Sequence, residues 1–225
     1  MEVNRHEVYR YLGCGNREPD VQTKKMTEEC LSELEQVSRP RFFSGTFLLH
    51  LMPENIVDFS CFQVQSRSLT ANLAGCEQVI LFAATLGVGA DFLLERYSRL
   101  EMSRAVVLQA AAAAMIESYC EVENKRLKEE FRKQGYFLRP RFSPGYGDFP
   151  LSAQKDLIMA IEAEKHVGIT LTDSFLMIPS KSVTAVIGVG RKKDSTAETY
   201  DADGCKTCDS KTCSYRRRPG DECRK

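Results

Sequence analysis

The sequence predicts an α+β fold, in which a twisted and mainly antiparallel sheet packs against helices and a cysteine-rich tail follows. A long alanine-rich segment, residues 102–132, has the pattern of a central helix whose first half is apolar on all sides. Several short segments rich in β-branched and aromatic residues have the pattern of strands. Beyond residue 190 the sequence contains no Val, Ile, Leu, Met or Phe, so this part cannot form a core. We therefore predict one domain over residues 1–190 and a tail over residues 191–225.

The overall charge excludes partners that are recruited by a strong general field. The chain has 31 basic and 31 acidic residues and a net charge of +0, which gives no global attraction for nucleic acid or an anionic membrane. The first residues lack the apolar stretch of a secretory signal, and no segment reaches the roughly 18 continuous apolar residues of a membrane span. We expect a soluble, cytoplasmic protein with neither a membrane nor a nucleic-acid partner.

Two helices are predicted before residue 40. Asn4 and Glu7 have the spacing of a capping box, which predicts a short helix to about Leu12. A second helix should end before Pro40, because apolar residues recur on one helical face at Met26, Cys30, Leu34 and Val37.

Strands are predicted next, followed by a glycine turn. Residues 41–52 and 59–64 are short and aromatic-rich. Residues 77–86 form the next predicted strand, and 79–86 are apolar without alternation, as in a strand that is buried on both faces. Gly87 and Gly89 then precede a helix that extends to about Tyr97. A dinucleotide-binding loop would need Gly or Ala where Phe92 stands, so the pattern favours a tight structural turn.

After the long helix, the sequence predicts one further helix and three short strands. The long helix becomes charged after about residue 120 and should end at Gly135. Ser152 is a candidate N-cap for a helix over residues 153–166. Three short segments with strand composition follow, and we expect them in one mixed or antiparallel sheet: residues 169–171, 175–178 and 183–189.

The segment from Arg141 to Tyr146, Arg-Phe-Ser-Pro-Gly-Tyr, has side chains that suit an amino-acid sulfonium. The Arg141 guanidinium matches a ligand carboxylate, and Gly145 allows the backbone to approach a ligand closely. Tyr146 offers an aromatic face to a positively charged sulfur. By itself the segment is more typical of a proline-stiffened turn beside a surface arginine.

A wider pattern identifies this segment with a known family. The segment from Arg141 to Tyr146 is followed by Pro150, by His166-Val-Gly, by the run from Ile169 to Met177, and by Pro179-Ser-Lys-Ser-Val-Thr-Ala. Together these resemble the activation domain of cobalamin-dependent methionine synthase. The resemblance is specific over residues 137–190, weaker over 79–86 and the alanine-rich helix, and absent before about residue 75.

The resemblance implies a ligand site and a function. In that family the arginine and tyrosine of the motif contribute to an S-adenosylmethionine site, which corresponds here to Arg141 and Tyr146 with Gly145 between them. A carboxylate from an early part of the family domain also contributes, and the candidates here are Glu54, Asp58 and Glu101.

The implied activity is reductive methylation, that is, reactivation of a corrinoid protein whose cobalamin has reached the inert cob(II) state. The methyl group would come from S-adenosylmethionine and the electron from flavodoxin or ferredoxin. The chain is too short to include modules for homocysteine, folate and cobalamin, so we expect it to act in trans on a methionine synthase or another corrinoid methyltransferase. The alternative is an S-adenosylmethionine-binding or metal-binding interaction module without catalysis. The chemistry requires no general acid or base, and His6, His50 and His166 have no catalytic partner in the sequence.

Nine cysteines fall into two groups. Five are scattered among apolar or helical segments, where packing is the usual role: Cys14, Cys30, Cys61, Cys76 and Cys120. The other four are in the tail and have a spacing that suits zinc or an iron–sulfur cluster: Cys205, Cys208, Cys213 and Cys223. A redox dithiol and an unstructured thiol-rich tail remain alternatives. The neighbouring Arg216-Arg-Arg would suit an acidic protein partner, or nucleic acid as a less favoured option.

Overall fold

A computed structural model describes residues 2–14 and 17–191, and the four cysteines predicted as metal ligands lie outside these ranges. The described residues form seven α-helices: α1 (Arg5–Tyr11), α2 (Val21–Val37), α3 (Arg67–Asn72), α4 (Val88–Leu100), α5 (Met102–Lys133), α6 (Ala153–Ala160) and α7 (Ala163–Val167). The strands are β1 (Arg41–Leu48), β2 (His50–Met52), β3 (Ile56–Asp58), β4 (Gln63–Gln65), β5 (Gln78–Thr85), β6 (Tyr136–Leu138), β7 (Thr170–Leu171), β8 (Met177–Ile178) and β9 (Ser182–Arg191).

The main sheet has the strand order β1-β5-β9-β6, and every neighbouring pair is antiparallel. The central strand β5 is buried on both faces, as its unbroken apolar sequence predicts. Ile80, Phe82 and Ala84 face the core that contains α5. Val79 and Leu81 face a second core that contains Phe59, Phe149 and Leu157. The predicted α+β class is confirmed, and the sheet separates two hydrophobic cores.

Helix α5 is the central helix predicted from the alanine-rich segment. Its first half is buried and packs against α1, α2, α4 and the sheet, because small alanines allow close approach. By length and composition it is the one helix in the described part that could cross a membrane. The burial of its apolar half instead makes it the core helix of this domain, and its charged half continues towards the surface.

The two N-terminal helices begin at polar caps. The Asn4 side chain accepts a hydrogen bond from the backbone N–H of His6, but Glu7 pairs with Arg10, so the predicted reciprocal capping box is only half present. Asp20 caps α2 by accepting from the backbone N–H of Thr23. This second helix ends at Val37, before Pro40, as predicted.

Three predicted elements differ in the structure. Residues 153–166 form two helices instead of one, because Glu162 has a left-handed backbone conformation with φ of 47°. Ser152 makes no side-chain capping bond. Residues 59–62 form a turn between β3 and β4, in which the Asp58 carboxylate accepts from the backbone N–H of Ser60 at 2.7 Å.

The third difference concerns sheet membership. The prediction placed all three C-terminal strands in one sheet, but only β9 belongs to the main sheet. Strands β7 and β8 pair with each other in a separate two-stranded sheet. Strand β6, which the sequence did not predict, takes the edge position beside β9.

The glycine turn before α4 is structural. Gly87 has a φ of +82°, and a Cβ at Gly89 would lie 2.2 Å from the carbonyl oxygen of Val37. A side chain at position 89 would therefore push α2 and α4 apart, which accounts for the second glycine without a nucleotide ligand.

The five cysteines outside the tail are free thiols. Cys30, Cys76 and Cys120 are buried as expected for packing residues, and Cys14 is partly buried. Cys61 is exposed, so the packing role predicted for it is wrong: the thiol lies in the turn that replaces the predicted strand.

Candidate functional site

Arg141 is positioned by an extension of the pairing between β6 and β9. Phe142 and Val186 exchange two backbone hydrogen bonds of 2.9 Å, and the Arg139 N–H donates to the Gly188 carbonyl at 2.8 Å. The backbone on both sides of Arg141 is thus tied to the centre of β9. The arginine leaves the edge of the main sheet at a fixed place, which is the preorganisation that a binding residue requires.

The chain after Phe142 closes into consecutive turns. The N–H of Tyr146 donates to the Ser143 carbonyl at 3.1 Å, and the N–H of Gly145 donates to the Phe149 carbonyl at 2.9 Å. Gly145 has a φ of +90°, and a Cβ there would meet only the Leu151 side chain, at 3.5 Å. Glycine is therefore needed at position 145 for the backbone conformation rather than for lack of space.

Asp148 fastens this loop to the start of α3. Its carboxylate accepts from the Ser66 hydroxyl at 2.6 Å, from the Arg67 N–H at 2.8 Å and from the Ser68 N–H at 3.0 Å. These bonds hold the pKa of Asp148 well below its ordinary value, the Ser66 hydroxyl contributing most. Buried Phe149 adds an apolar anchor next to the carboxylate. The loop is held by a charged contact and an apolar one.

The Arg141 side chain extends from the loop to helix α5. Its Nη2 donates to the Glu117 carboxylate at 3.2 Å and lies 3.8 Å from the Glu121 carboxylate. Glu117 and Glu121 are four residues apart on α5, so they share one face of the helix. One guanidinium and two carboxylates thus form a group with a net charge of −1, which we call the Arg141 cluster.

Two further side chains lie beside the Arg141 cluster. Cys120 is buried between the two glutamates on α5, and burial raises the pKa of its thiol to about 12, against the opposing effect of Arg141. The thiol is therefore protonated near neutral pH and cannot compete as a nucleophile. Burial also raises the pKa of Tyr11, and the nearby charge of Glu117 raises it further. These groups border the cluster without adding a charge at neutral pH.

The structure places the predicted site residues in one loop but gives their side chains different surroundings. Arg141 is partly buried against α5, whereas the Tyr146 side chain is 67% exposed. An exposed tyrosine at the end of a rigid loop has its aromatic face available to a ligand.

The carboxylates that contact Arg141 differ from the three candidates chosen from the sequence. Glu54 is exposed in a short turn, Asp58 binds Ser60 and Gln63, and Glu101 accepts from Ser103 between α4 and α5. Sequence reasoning missed Glu117 and Glu121, although their spacing on a helix that emerges from the core was a usable signal.

Neither histidines nor metal ligands converge in the described ranges. His6 and His50 are exposed, and the exposed His166 ring stacks on Phe43 at 3.8 Å between centroids. Residues 2–14 and 17–191 contain no group of three His, Cys, Asp or Glu side chains placed to hold a metal ion.

Comparison with protein families decides the family. Residues 71–202, more than half of the chain, match the family model described as the vitamin B12-dependent methionine synthase activation domain. This chain belongs to that family. The match includes the whole Arg141 loop, α5 and β9, and the resemblance inferred from the motif is confirmed.

A solved structure supports the same fold. The chain is similar to a crystal structure described as the MetH reactivation domain bound to AdoHcy, with a TM-score of 0.57 and 20% sequence identity. The similarity covers 78% of this chain and 67% of that chain. At this identity the comparison establishes a shared fold, including residues before position 71 where the family model does not match.

Proposed function

We propose that this chain binds S-adenosylmethionine at the Arg141 loop and acts in trans in the reactivation of a corrinoid protein. The corrinoid partner would be a cobalamin-bearing methionine synthase or a related methyltransferase. Family membership supports the ligand class, and the AdoHcy in the related structure supports it further. The observation that carries the proposal is the Arg141 cluster, held between a rigid loop and α5.

The charges of the Arg141 cluster fit this ligand. S-adenosylmethionine has a carboxylate, an ammonium and a sulfonium, and its net charge is positive. Arg141 can pair with the carboxylate, while Glu117 or Glu121 can pair with the ammonium. The second glutamate leaves the cluster with one negative charge, which complements the extra positive charge of the sulfonium. Tyr146 adds an aromatic face for that cation.

The proposed role of these residues is to hold the methyl donor in place. Bound S-adenosylmethionine supplies the methyl group, which passes to the partner's cobalt after one-electron reduction by flavodoxin or ferredoxin, and S-adenosylhomocysteine is released. Holding the donor in a fixed orientation replaces a bimolecular encounter by one within a complex. The loop anchors at Asp148 and Phe149 serve this orientation.

Calorimetric titration of the full chain tests binding. We expect S-adenosylmethionine to bind and Arg141→Ala to weaken this binding strongly, whereas Arg126→Ala, which removes another arginine paired on α5, should leave binding unchanged. Glu117→Gln should weaken S-adenosylmethionine more than the neutral product S-adenosylhomocysteine, because it removes the negative charge that matches the sulfonium. An absence of binding by the unmodified chain would refute the proposal.

Catalytic participation is tested separately from binding. A reduced corrinoid protein, S-adenosylmethionine and this chain should together show the spectral change from cob(II)alamin to methylcobalamin. Binding without this change would favour the alternative, an S-adenosylmethionine-binding interaction module.

The tail cysteines are proposed as a metal site on spacing alone, since Cys205, Cys208, Cys213 and Cys223 lie outside the described residues. Metal analysis of protein purified without oxygen should find zinc or iron, and a metal-free protein would contradict the site. We also propose a cytoplasmic location, because the exposed Cys61 is a free thiol, as reducing compartments permit.

A further inference from the structure

A cavity of about 620 Å³ lies between α4 and α5, apart from the Arg141 loop. Its walls are formed by Leu94 and Ser98 of α4, by Met102, Val106 and Gln109 of α5, and by Tyr11 of α1. The volume is in the range of pockets that hold small molecules. The side chains at this contact leave a space that a metabolite-sized ligand can occupy.

The cavity exists because α5 has small side chains on the face that points into it. Ala105, Ala110 and Ala113 all contribute to its lining, while the larger Met102 and Val106 are more than half exposed at its edge. A wall of methyl groups and aliphatic side chains binds apolar surface without specificity. A polar group in such a cavity sets the orientation of the ligand.

Lys181 is the cationic group in this lining. Only 8% of its surface is exposed, and its ammonium has no hydrogen-bond or ion-pair partner among the described residues. Burial lowers the pKa of Lys181, and the nearest charge that opposes this effect is Asp91 on α4. The Asp91 carboxylate is already engaged by the N–H and the hydroxyl of Ser180. Within the described residues the Lys181 nitrogen is not one of the fully buried polar atoms that lack a partner, so it reaches solvent, and an anion in the cavity could pair with it.

The backbone keeps Lys181 at this position. Its carbonyl accepts from the Leu86 N–H at 2.9 Å and from the Thr85 hydroxyl at 3.4 Å, directly before β9 begins. The lysine is thus fixed to the end of the central strand β5. Most of the Lys181 residue is buried, which limits the positions that its ammonium can take before a ligand arrives.

The charge of the cavity limits the ligand to one negative charge. Lys181 can neutralise a single anionic group, and the other charged side chain in the same lining, Glu95, is already paired with Arg99. A dianion such as a phosphate monoester would leave its second charge unpaired beside apolar walls, which is costly. A carboxylate attached to an apolar body meets both conditions.

We propose that the cavity between α4 and α5 is a second ligand site, which binds a small monocarboxylate with an apolar body through an ion pair with Lys181. The apolar body lies along the alanine face of α5, and the carboxylate reaches the floor of the cavity. Tyr11 lines this cavity and lies near Glu117, but Arg141 and its two glutamates do not belong to the lining, so we treat the cavity as a second site.

Calorimetric titration of the full chain with decanoate tests the ion pair, and 1-decanol serves as the uncharged ligand with the same apolar body. Decanoate should bind at least about tenfold more tightly than decanol, since a charge-assisted hydrogen bond contributes roughly that much. Lys181→Met keeps the apolar stem and should remove this preference. Lys155→Met changes an exposed lysine on α6 and should preserve it.

A second variant tests the position of the apolar body. Ala113→Leu fills the cavity without touching Lys181 and should weaken both decanoate and decanol. Equal binding of the two ligands by the unmodified chain, or unchanged decanoate binding by Lys181→Met, would overturn the proposal. Loss of decanoate binding when S-adenosylmethionine saturates the chain would show that the cavity belongs to the proposed S-adenosylmethionine site, and would also refute a separate site.

Discussion

Arg141 and Lys181 are two cations placed beside the same helix, and their surroundings are opposite. Arg141 contacts two carboxylates of α5, within a group of net charge −1. Lys181 is more deeply buried, faces an apolar cavity and has no ion-pair partner in the described ranges. Arg141 and its glutamates suit a zwitterion, whose carboxylate can pair with the arginine and whose ammonium can pair with a glutamate. Lys181 has no paired carboxylate in the described part of the chain and suits an anionic ligand that forms the ion pair itself.

The largest effect is expected from breaking the paired cation. Arg141→Ala should weaken S-adenosylmethionine by about a hundredfold, because it removes the group that pairs with the ligand carboxylate and leaves Glu117 unpaired. Arg141→Lys should recover part of this loss, since it restores the charge without the planar fork. Calorimetry on the two variants measures the difference, and an affinity for Arg141→Ala equal to that of the unmodified chain would disprove the assigned role.

Replacing the unpaired cation, Lys181, should stabilise the folded chain. Lys181→Met should raise the free energy of unfolding at pH 7 by about 1 kcal/mol, because it replaces a desolvated charge by a thioether of similar shape. Urea denaturation of both proteins measures this change. A loss of stability in the variant would indicate that the lysine has a structural partner and would contradict the account of the cavity.

The pH dependence of that difference has a defined sign. The pKa of Lys181 is lowered in the folded chain from 10.5, so between the lowered pKa and 10.5 the unfolded chain binds more protons. The stability contribution of Lys181 therefore rises with pH across this window, and the advantage of Lys181→Met should shrink. Asp91, Glu95, Tyr11 and the buried cysteines are present in both proteins, so their contributions cancel in the comparison.

A smaller effect is expected from the anchor of the Arg141 loop. The pKa of Asp148 is depressed from 3.8, so its stabilising contribution is present above pH 3.8 and is lost as the pH falls below that value. Asp148→Asn should therefore flatten the acid limb of the stability profile. It should also weaken S-adenosylmethionine by about fivefold, because a less ordered loop must be ordered on binding. Asp173→Asn, a change at an exposed position, is the control, and an identical effect of both variants would contradict the anchoring role.

The smallest effect on ligand affinity is expected at Gly145. Alanine fits the available space but must adopt a φ of +90°, so Gly145→Ala should cost about 1 to 2 kcal/mol of folding free energy. Gly75→Ala is the matched control, because Gly75 has a φ of +76° and open space around it, so alanine there should cause a similar backbone strain. Gly145→Ala should reduce ligand affinity as well as stability, while Gly75→Ala should reduce stability alone.

The sequence predicted the elements whose patterns are long and consistent. Strand β5 and helix α5 were recognised because an unbroken apolar run and an alanine-rich run have few other interpretations. Strand β6 was missed because it has three residues and is defined by its pairing with β9. The break at Glu162 was missed because its left-handed conformation follows from tertiary packing, with no glycine to mark it.

The Arg141 loop and the cavity beside Lys181 also differ in how far the sequence indicates them. Arg141 and Tyr146 could be proposed from the sequence because the family motif is local in sequence. The spacing of Glu117 and Glu121 indicates a shared helix face, but their contact with Arg141 depends on the packing of the loop against α5. Lys181 gave no sequence signal as a binding residue, because its cavity arises from α4, α5 and α1, which are separated along the chain. Motif reasoning finds local sites, whereas packing defines sites that are assembled from distant segments.

Transfer of a labelled methyl group tests the central claim most directly. A corrinoid protein in the cob(II) state is incubated with reduced flavodoxin, methyl-deuterated S-adenosylmethionine and the full chain, and the cobalamin is analysed by mass spectrometry. We predict deuterated methylcobalamin that depends on the chain and is lost with Arg141→Ala but retained with Arg126→Ala. Labelling that is equal with and without the chain, or that persists in Arg141→Ala, would contradict the account.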